Sequence, residues 1–195
     1  LMSCPEVMTQ TGLVRGLEQN GVFKFRGIPY CKPTTGEGRF KPAEPAQPWQ
    51  GVLDCAKETP IAPQGPSDLE GPMGALHRRY DEDCLTLEIS TPNVNEKLPV
   101  AIWFHGGANV SGAGNLDWYD GAELARVGHM VVVGVNFRIT ALGFLVHPAL
   151  NVDNLSILDQ VESLRWVQKY IRVFGGDPDN LMVFGQSAGG NAIVH

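Results

Sequence analysis

The sequence predicts an α/β fold, with a small antiparallel β start and a mostly parallel central sheet that ends at a sharp, serine-bearing turn. Two continuous apolar runs, Val100-Ala101-Ile102-Trp103-Phe104 and Met130-Val131-Val132-Val133-Gly134-Val135, read as strands covered on both faces. Helical stretches lie between and after them, and strands alternating with helices imply a largely parallel sheet with helices on both sides. The third observation is the stretch Phe184-Gly185-Gln186-Ser187-Ala188-Gly189-Gly190, in which an apolar strand runs without a gap into a serine framed by glycines.

Taken from the N-terminus, Thr11 to Leu17 and Gly21 to Ile28 flank Glu18-Gln19-Asn20-Gly21, and an Asn-Gly pair between two short runs predicts a hairpin. Prolines and glycines recur from Pro29 to Gly74 without helical periodicity, which predicts an ordered connector, since Phe40, Trp49, Val52 and Leu53 still offer apolar surface to bury. Leu85-Thr86-Leu87-Glu88-Ile89 alternates as a half-buried strand does. Gly121 to Val127 has room for a short helix. A longer one follows, with Leu155, Leu158, Val161, Leu164, Val167 and Ile171 as one apolar stripe, ended by Gly175-Gly176. Leu181-Met182-Val183-Phe184 then reads as a further buried strand.

The composition suits one globular domain over residues 1–195: 43% of residues are hydrophobic and 18% charged. A formal net charge of −6 without a Lys/Arg block argues against a nucleic-acid partner or a basic membrane-binding face. No run approaches the roughly 18–20 apolar residues of a membrane span. Cys4, Cys31, Cys55 and Cys84 lack the CxxC spacing of metal and redox sites and are expected to be mostly free, buried thiols. Two sequons occur, at Asn109-Val110-Ser111 and Asn154-Leu155-Ser156. A glycan on the first would obstruct the neighbouring HGGA segment, so that match is read as chance. The reading leans towards an intracellular or bacterial protein and leaves localisation open.

The GxSxG pattern alone is a weak signal, and its context strengthens it. A strand precedes it, and the small apolar residues Ala188 to Val194 can begin a helix, which makes it the strand, tight turn and helix of a nucleophile elbow. Such a turn strains the serine backbone and requires residues without side chains two before and two after it, here Gly185 and Gly189. Ser187 is therefore the candidate nucleophile. Acyl transfer also needs rigid N–H donors aimed at the developing oxyanion. HGGA, His105 to Ala108, leaves the end of the strand Val100 to Phe104, and Gly106, Gly107 and Ala188 are the candidate oxyanion donors. His105, beside those glycines, is expected to hold the loop by a hydrogen bond rather than to act as base.

These residues resemble the type-B carboxylesterase and cholinesterase group of α/β-hydrolases. The matching stretches are FRGIPYCKP, RFKPAEPAQPW, EDCLTLEI, VNFRITALGF, LDQVESLRWVQKYI, FGGDPDN and FGQSAGG, in the order of that family's N-terminal part and over nearly the whole chain. The resemblance implies the α/β-hydrolase fold and a serine esterase that acylates Ser187 and then hydrolyses the acyl-enzyme, with a small-molecule ester as substrate and no metal or cofactor. It also implies that the histidine base and the acid lie beyond residue 195. Residues 1–195 would then be the N-terminal part of a single domain, completed by a C-terminal segment of the same protein or by a second chain. None of His77, His105, His129, His147 and His195 is expected to serve as the base. Two ion pairs are implied as well, Glu82 with Arg39 and Asp159 with Arg138.

Three departures accompany the resemblance. Gln186 stands where the family usually has glutamate, the family's GNxG reads Asp153-Asn154-Leu155-Ser156, and the family's first disulfide keeps only Cys84, with Cys55 the nearest upstream candidate. Trp118 and Tyr119 either line a substrate gorge or serve packing. The alternative reading is a catalytically silent, cholinesterase-like domain that binds protein. Such relatives typically lose the elbow serine or its glycines, and this chain keeps all three.

Overall fold

The computed structural model describes residues 5–194. The chain begins with β1 (Glu6–Met8), β2 (Leu13–Arg15), β3 (Leu17–Gln19) and β4 (Val22–Pro29). The expected hairpin is present but shorter. Only β3 pairs with β4, Gln19 standing opposite Val22, while β2 pairs antiparallel with β1 in a separate sheet. Asn20 and Gly21 turn the corner at φ 53° and 76°, the left-handed pair that a two-residue hairpin requires. Gly16 divides the run because the chain passes too close to β4 for a side chain: a Cβ there would lie 2.4 Å from the Lys24 carbonyl oxygen.

The connector is ordered, and it hides β5 (Val52–Asp54), which joins β2 in parallel and completes a three-stranded sheet. A single turn of helix, α1 (Glu70–Met73), lies further along it. Then come β6 (Thr86–Thr91), β7 (Leu98–Phe104), α2 (Ala122–Gly128), β8 (Val131–Val135), α3 (Thr140–Phe144), α4 (Leu155–Tyr170), β9 (Gly176–Gly185) and α5 (Ala188–Ile193).

The central sheet has six strands in the order β3-β4-β6-β8-β7-β9. It is mixed rather than mostly parallel. β3, β4, β6 and β8 pair antiparallel in succession, and only β7 lies parallel to its neighbours β8 and β9. The α/β alternation that predicts parallel pairing begins only at β7, after the hairpin and connector have laid down the antiparallel half.

Burial corrects three further expectations. β6 is not half-buried: every residue except Glu88 is buried, its polar members finding partners, as where Asn136 Nδ2 donates to Thr86 Oγ1. β9 is not a buried strand but the sheet's edge among the described residues, and Met182 is 52% exposed. On α4 the apolar stripe is buried only in part: Leu155, Val167 and Ile171 are buried, whereas Leu158 and Val161 are exposed and Ser156, Asp159, Gln160 and Ser163 are buried beside Trp166. Small residues let the helices close up there, since a Cβ on Gly143 of α3 would come within 2.9 Å of Ser156 Cβ. The main core lies on one side of the sheet, where Phe25, Ile89, Ile102 and Val133 meet Trp166, Val167, Ile171 and Phe174.

Candidate active site

β9 delivers the chain into the turn, and α5 carries it away. Ser187 between them has φ 53° and ψ −121°, a backbone conformation that an L-residue adopts at a cost of about 1–3 kcal/mol. The surroundings hold it there. The N–H of Gln186 donates to the Phe104 carbonyl at 3.3 Å, that of Gly189 to Gln186 at 3.0 Å and that of Asn191 to Ser187 at 2.9 Å. Both framing glycines are required sterically. A Cβ on Gly185 would lie 2.7 Å from the Gly189 carbonyl carbon, and one on Gly189 only 2.2 Å from the Phe104 carbonyl oxygen.

That last contact places the turn directly against the exit of β7. HGGA leaves β7 there, and a Cβ on Gly106 would lie 2.8 Å from the Gln186 carbonyl oxygen. The candidate nucleophile and the candidate donor loop are thus in contact through Gly106 and Gln186. Gly107 has φ 112°, Ala108 φ 54° and Asn109 φ 62°, so the loop curls back on itself, and the N–H groups of Val110 and Ser111 both donate to the Gly107 carbonyl. Among the described residues no hydrogen bond engages the N–H of Gly106, Gly107, Ala108 or Ala188. Gly106 is buried, Gly107 half-buried and Ala108 exposed. Sequence reasoning passed over Ala108, whose only signal, a positive φ, is visible in three dimensions alone.

His105 is 3% exposed, its Nδ1–H donating to the Gly106 carbonyl at 2.8 Å and its ring stacked on Phe137 at 4.4 Å. Burial pushes its imidazole down to about 4, against the opposing effect of the bond to Gly106. It is a neutral loop-holding residue, as expected. Among the described histidines, His77, His129 and His147 are exposed; His129 Nε2 lies 2.8 Å from Glu96 Oε2, and His147 Nδ1 accepts from the Ala149 N–H. None bonds to Ser187. His195 lies outside the described residues, as does Cys4.

Tyr119 belongs to a 3-10 turn, Asp117–Tyr119, and donates its hydroxyl to Gln186 Oε1 at 3.1 Å while its ring packs on Trp103 at 5.0 Å. Trp118 packs edge-on against the Tyr119 ring at 6.1 Å. Both expected ion pairs form. Arg39 meets Glu82 through two hydrogen bonds of 2.6 and 2.7 Å at the surface. Arg138 grips Asp159 through Nε at 2.7 Å and Nη2 at 2.6 Å, both side chains being buried. Cys31, Cys55 and Cys84 are free, with burial pushing each thiol up to about 12, so the resemblance's disulfide is not formed by Cys55 and Cys84. At the departure from GNxG, Asn154 supplies the left-handed residue before α4 at φ 52°. No helix among the described residues is long and apolar enough to cross a membrane.

A strained serine between obligate glycines, packed on a curled glycine loop, is a signature that can be compared with known proteins. The profile of the carboxylesterase family matches residues 3–195. The chain belongs to the carboxylesterase family. It is 47% identical to the para-nitrobenzyl esterase of Bacillus subtilis (strain 168) over 192 residues, covering 96% of this chain and 39% of that protein. It is 38% identical over 197 residues to the phenmedipham hydrolase of Pseudarthrobacter oxydans, covering 100% of this chain and 40% of that protein. A solved PNB esterase structure superposes with a TM-score of 0.91 at 44% identity, covering 98% of this chain and 40% of the other. The fold is therefore the α/β-hydrolase fold of these carboxylesterases. The chain spans about two fifths of the length of the relatives it matches.

Proposed function

We propose that the full-length protein carrying this chain is a serine carboxylic-ester hydrolase acting on small-molecule esters, with Ser187 as nucleophile. The observation that carries the reading is the backbone of Ser187, held at φ 53° and ψ −121° where β9 meets α5 and the HGGA loop. Strain of that kind survives only where surrounding structure enforces it, and it lifts one hydroxyl clear of the sheet.

In this reaction Ser187 Oγ attacks the ester carbonyl carbon, and a base supplied by sequence beyond residue 195 takes its proton. The tetrahedral oxyanion is held by the N–H groups of Gly106, Gly107 and Ala188, joined by Ala108 from the exposed end of the loop. The alcohol leaves with the proton, and water then releases the acid from the acyl-serine by the same sequence in reverse roles. Residues 1–195 form the N-terminal part of one domain that a C-terminal segment completes. The alternative of a silent protein-binding domain is not favoured, because Ser187, Gly185 and Gly189 are all present and Ser187 keeps the strained backbone of a tight turn.

The test is a fluorophosphonate probe on the full-length protein together with hydrolysis of a short-chain aryl ester. Labelling at Ser187, and a loss of turnover in Ser187→Ala on the order of 10³-fold or more, are expected. A folded protein that takes no label at Ser187 would favour the silent domain.

A further inference from the structure

Away from the elbow lies a small cavity of about 10 Å³, walled by β4, β6, the connector and the segment from Asn115 to Asp120. That is close to the smallest space that holds one water, about 10–15 Å³. Three buried atoms of its lining residues have no hydrogen-bond partner among the described residues: Arg26 Nε, Arg78 Nε and Asn115 Oδ1. The Arg78 side chain and Asn115 are each only 8% exposed. Their other polar atoms are committed. Arg78 Nη1 lies 3.2 Å from Glu58 Oε2 and Nη2 2.8 Å from Asp117 Oδ1, while Asn115 Nδ2 donates to the carbonyl and hydroxyl of Thr59, both at 3.2 Å. Rotating either side chain to satisfy its orphan would break these bonds.

Arg26 is brought to the cavity by a bulge. The pairing of β4 with β6 shifts register between Arg26 and Ile28, and Gly27, at φ 74°, passes so close to the connector that a Cβ would meet Thr59 Cγ2 at 2.1 Å. Arg26 Nε then faces Glu88 Oε2 at 4.0 Å, beyond direct hydrogen-bond range. A polar separation of that size is one a bridging water fills.

The chemistry of the wall selects the ligand. Lys24, Glu58, Asp117 and Asp120 also line it but are engaged in ion pairs, Lys24 lying 3.4 Å from Glu88 Oε1 as well as on Asp120. What remains is two N–H donors, one amide carbonyl and the second Glu88 oxygen, which match a molecule that accepts two hydrogen bonds and donates two. An anion would face Asn115 Oδ1 and Glu88, and a cation would face two guanidinium groups. We propose that a single structural water is bound here, accepting from Arg26 Nε and Arg78 Nε and donating to Asn115 Oδ1 and Glu88. It acts as a positioning element for Tyr119. Arg78 holds Asp117, and the ammonium of Lys24, itself 1% exposed, holds Asp120 at 2.7 Å. The two ion pairs bracket the turn whose Tyr119 hydroxyl bonds Gln186 beside Ser187. The kinetic consequence rests on the reading of Ser187 as nucleophile; the water site does not.

A high-resolution crystal structure of the full-length protein decides the site. Density for one water about 2.7–3.2 Å from Arg26 Nε, Arg78 Nε and Asn115 Oδ1 is expected; a dry cavity, or a chloride with its anomalous signal, overturns the proposal. The positioning role is read from Arg78→Lys, which keeps the charge but removes the Nε–H, and from Tyr119→Phe. Each is expected to lower kcat on a short-chain aryl ester by about tenfold with KM nearly unchanged. The double variant is expected to fall no further, because both act through one contact. Independent losses that multiply to about a hundredfold overturn the coupling. Since density is read without turnover, an inactive wild-type protein would refute the nucleophile reading while the water site is judged by itself.

Discussion

The residue before Ser187 departs from the usual glutamate of its family, and the structure gives that departure a consequence. Gln186 Oε1 accepts the Tyr119 hydroxyl, and a glutamate in its place can accept the same bond, so Gln186→Glu should leave the turn intact while adding a negative charge next to Ser187. Under the proposed mechanism, an imidazolium formed on the base would be stabilised by that charge. The acidic limb of the pH–rate profile of the full-length protein is expected to move up by about one unit, and an unchanged limb would rule the effect out. His105 makes a second pH argument, on stability. Its imidazole titrates near 4 in the folded protein against an ordinary value of 6.5, so the unfolded chain takes up a proton first as pH falls. The contribution is complete above pH 6.5 and drains away towards pH 4, by on the order of 3 kcal/mol. His105→Asn keeps a donor for the Gly106 carbonyl but cannot titrate. Urea midpoints at pH 7 and pH 4.5 should therefore differ less for His105→Asn than for wild type, and equal pH dependence in the two would show that His105 is not the source. At this scale the sequence was legible wherever sterics act locally: Gly185, Ser187 and Gly189 announce themselves by spacing. Ala108 and the Tyr119–Gln186 bond depend on where distant segments meet, 67 residues apart in the second case.

At the scale of elements, legibility followed length and the physical origin of the pattern. β7, β8 and the strand into the elbow are long enough for their apolar runs to be read, whereas β1, β2 and β5 have three residues each, too few for any period to appear. The stripe on α4 shows only part of the buried face, for a different reason. Hydrophobic periodicity reports which face avoids water, but the face of α4 that packs inward carries Ser156, Ser163 and an ion pair, because close helix approach and charge pairing set it. Asp159 receives three hydrogen bonds from Arg138, two from the guanidinium and one from the backbone N–H at 3.1 Å. Arg138 also reaches the Lys41 carbonyl at 2.8 Å, so the pair ties α4 to the loop after β8 and to the connector. Asp159→Asn leaves a buried guanidinium without its counter-charge, and a loss of about 3–5 kcal/mol is expected. Thermal unfolding of the full-length protein checks this, and a midpoint within a degree of wild type would mean that the pair carries no such weight.

At the scale of the whole molecule, the proposed site has a strained serine turn and a glycine loop but no base among the described residues. The described histidines are either buried on Gly106, as His105 is, or exposed in loops and at a helix end without a bond to Ser187. The open side of the sheet points the same way. Among the described residues β9 pairs only with β7, which leaves one edge of the elbow strand unpaired, with Met182 52% exposed, and Ile193 and Val194 of the following helical segment 38% and 78% exposed. An apolar, unpaired strand edge recruits another strand or aggregates. The relatives matched are about two and a half times as long as this chain. Taken together these observations support a C-terminal segment that pairs along β9 and brings the base and acid to Ser187. Residues 1–195 expressed alone should then be prone to associate and should hydrolyse a short-chain aryl ester at no more than the residual level that oxyanion donors sustain, while the full-length protein turns over and loses that activity in Ser187→Ala. Sedimentation and urea unfolding test the first half, since a monodisperse fragment that unfolds cooperatively would show that β9 needs no cover. Steady-state hydrolysis by both preparations tests the second. If the fragment alone matches the full-length protein, and His105→Asn, His147→Ala or His195→Ala abolishes its activity, then the base lies within these residues and its assignment to the C-terminal segment fails.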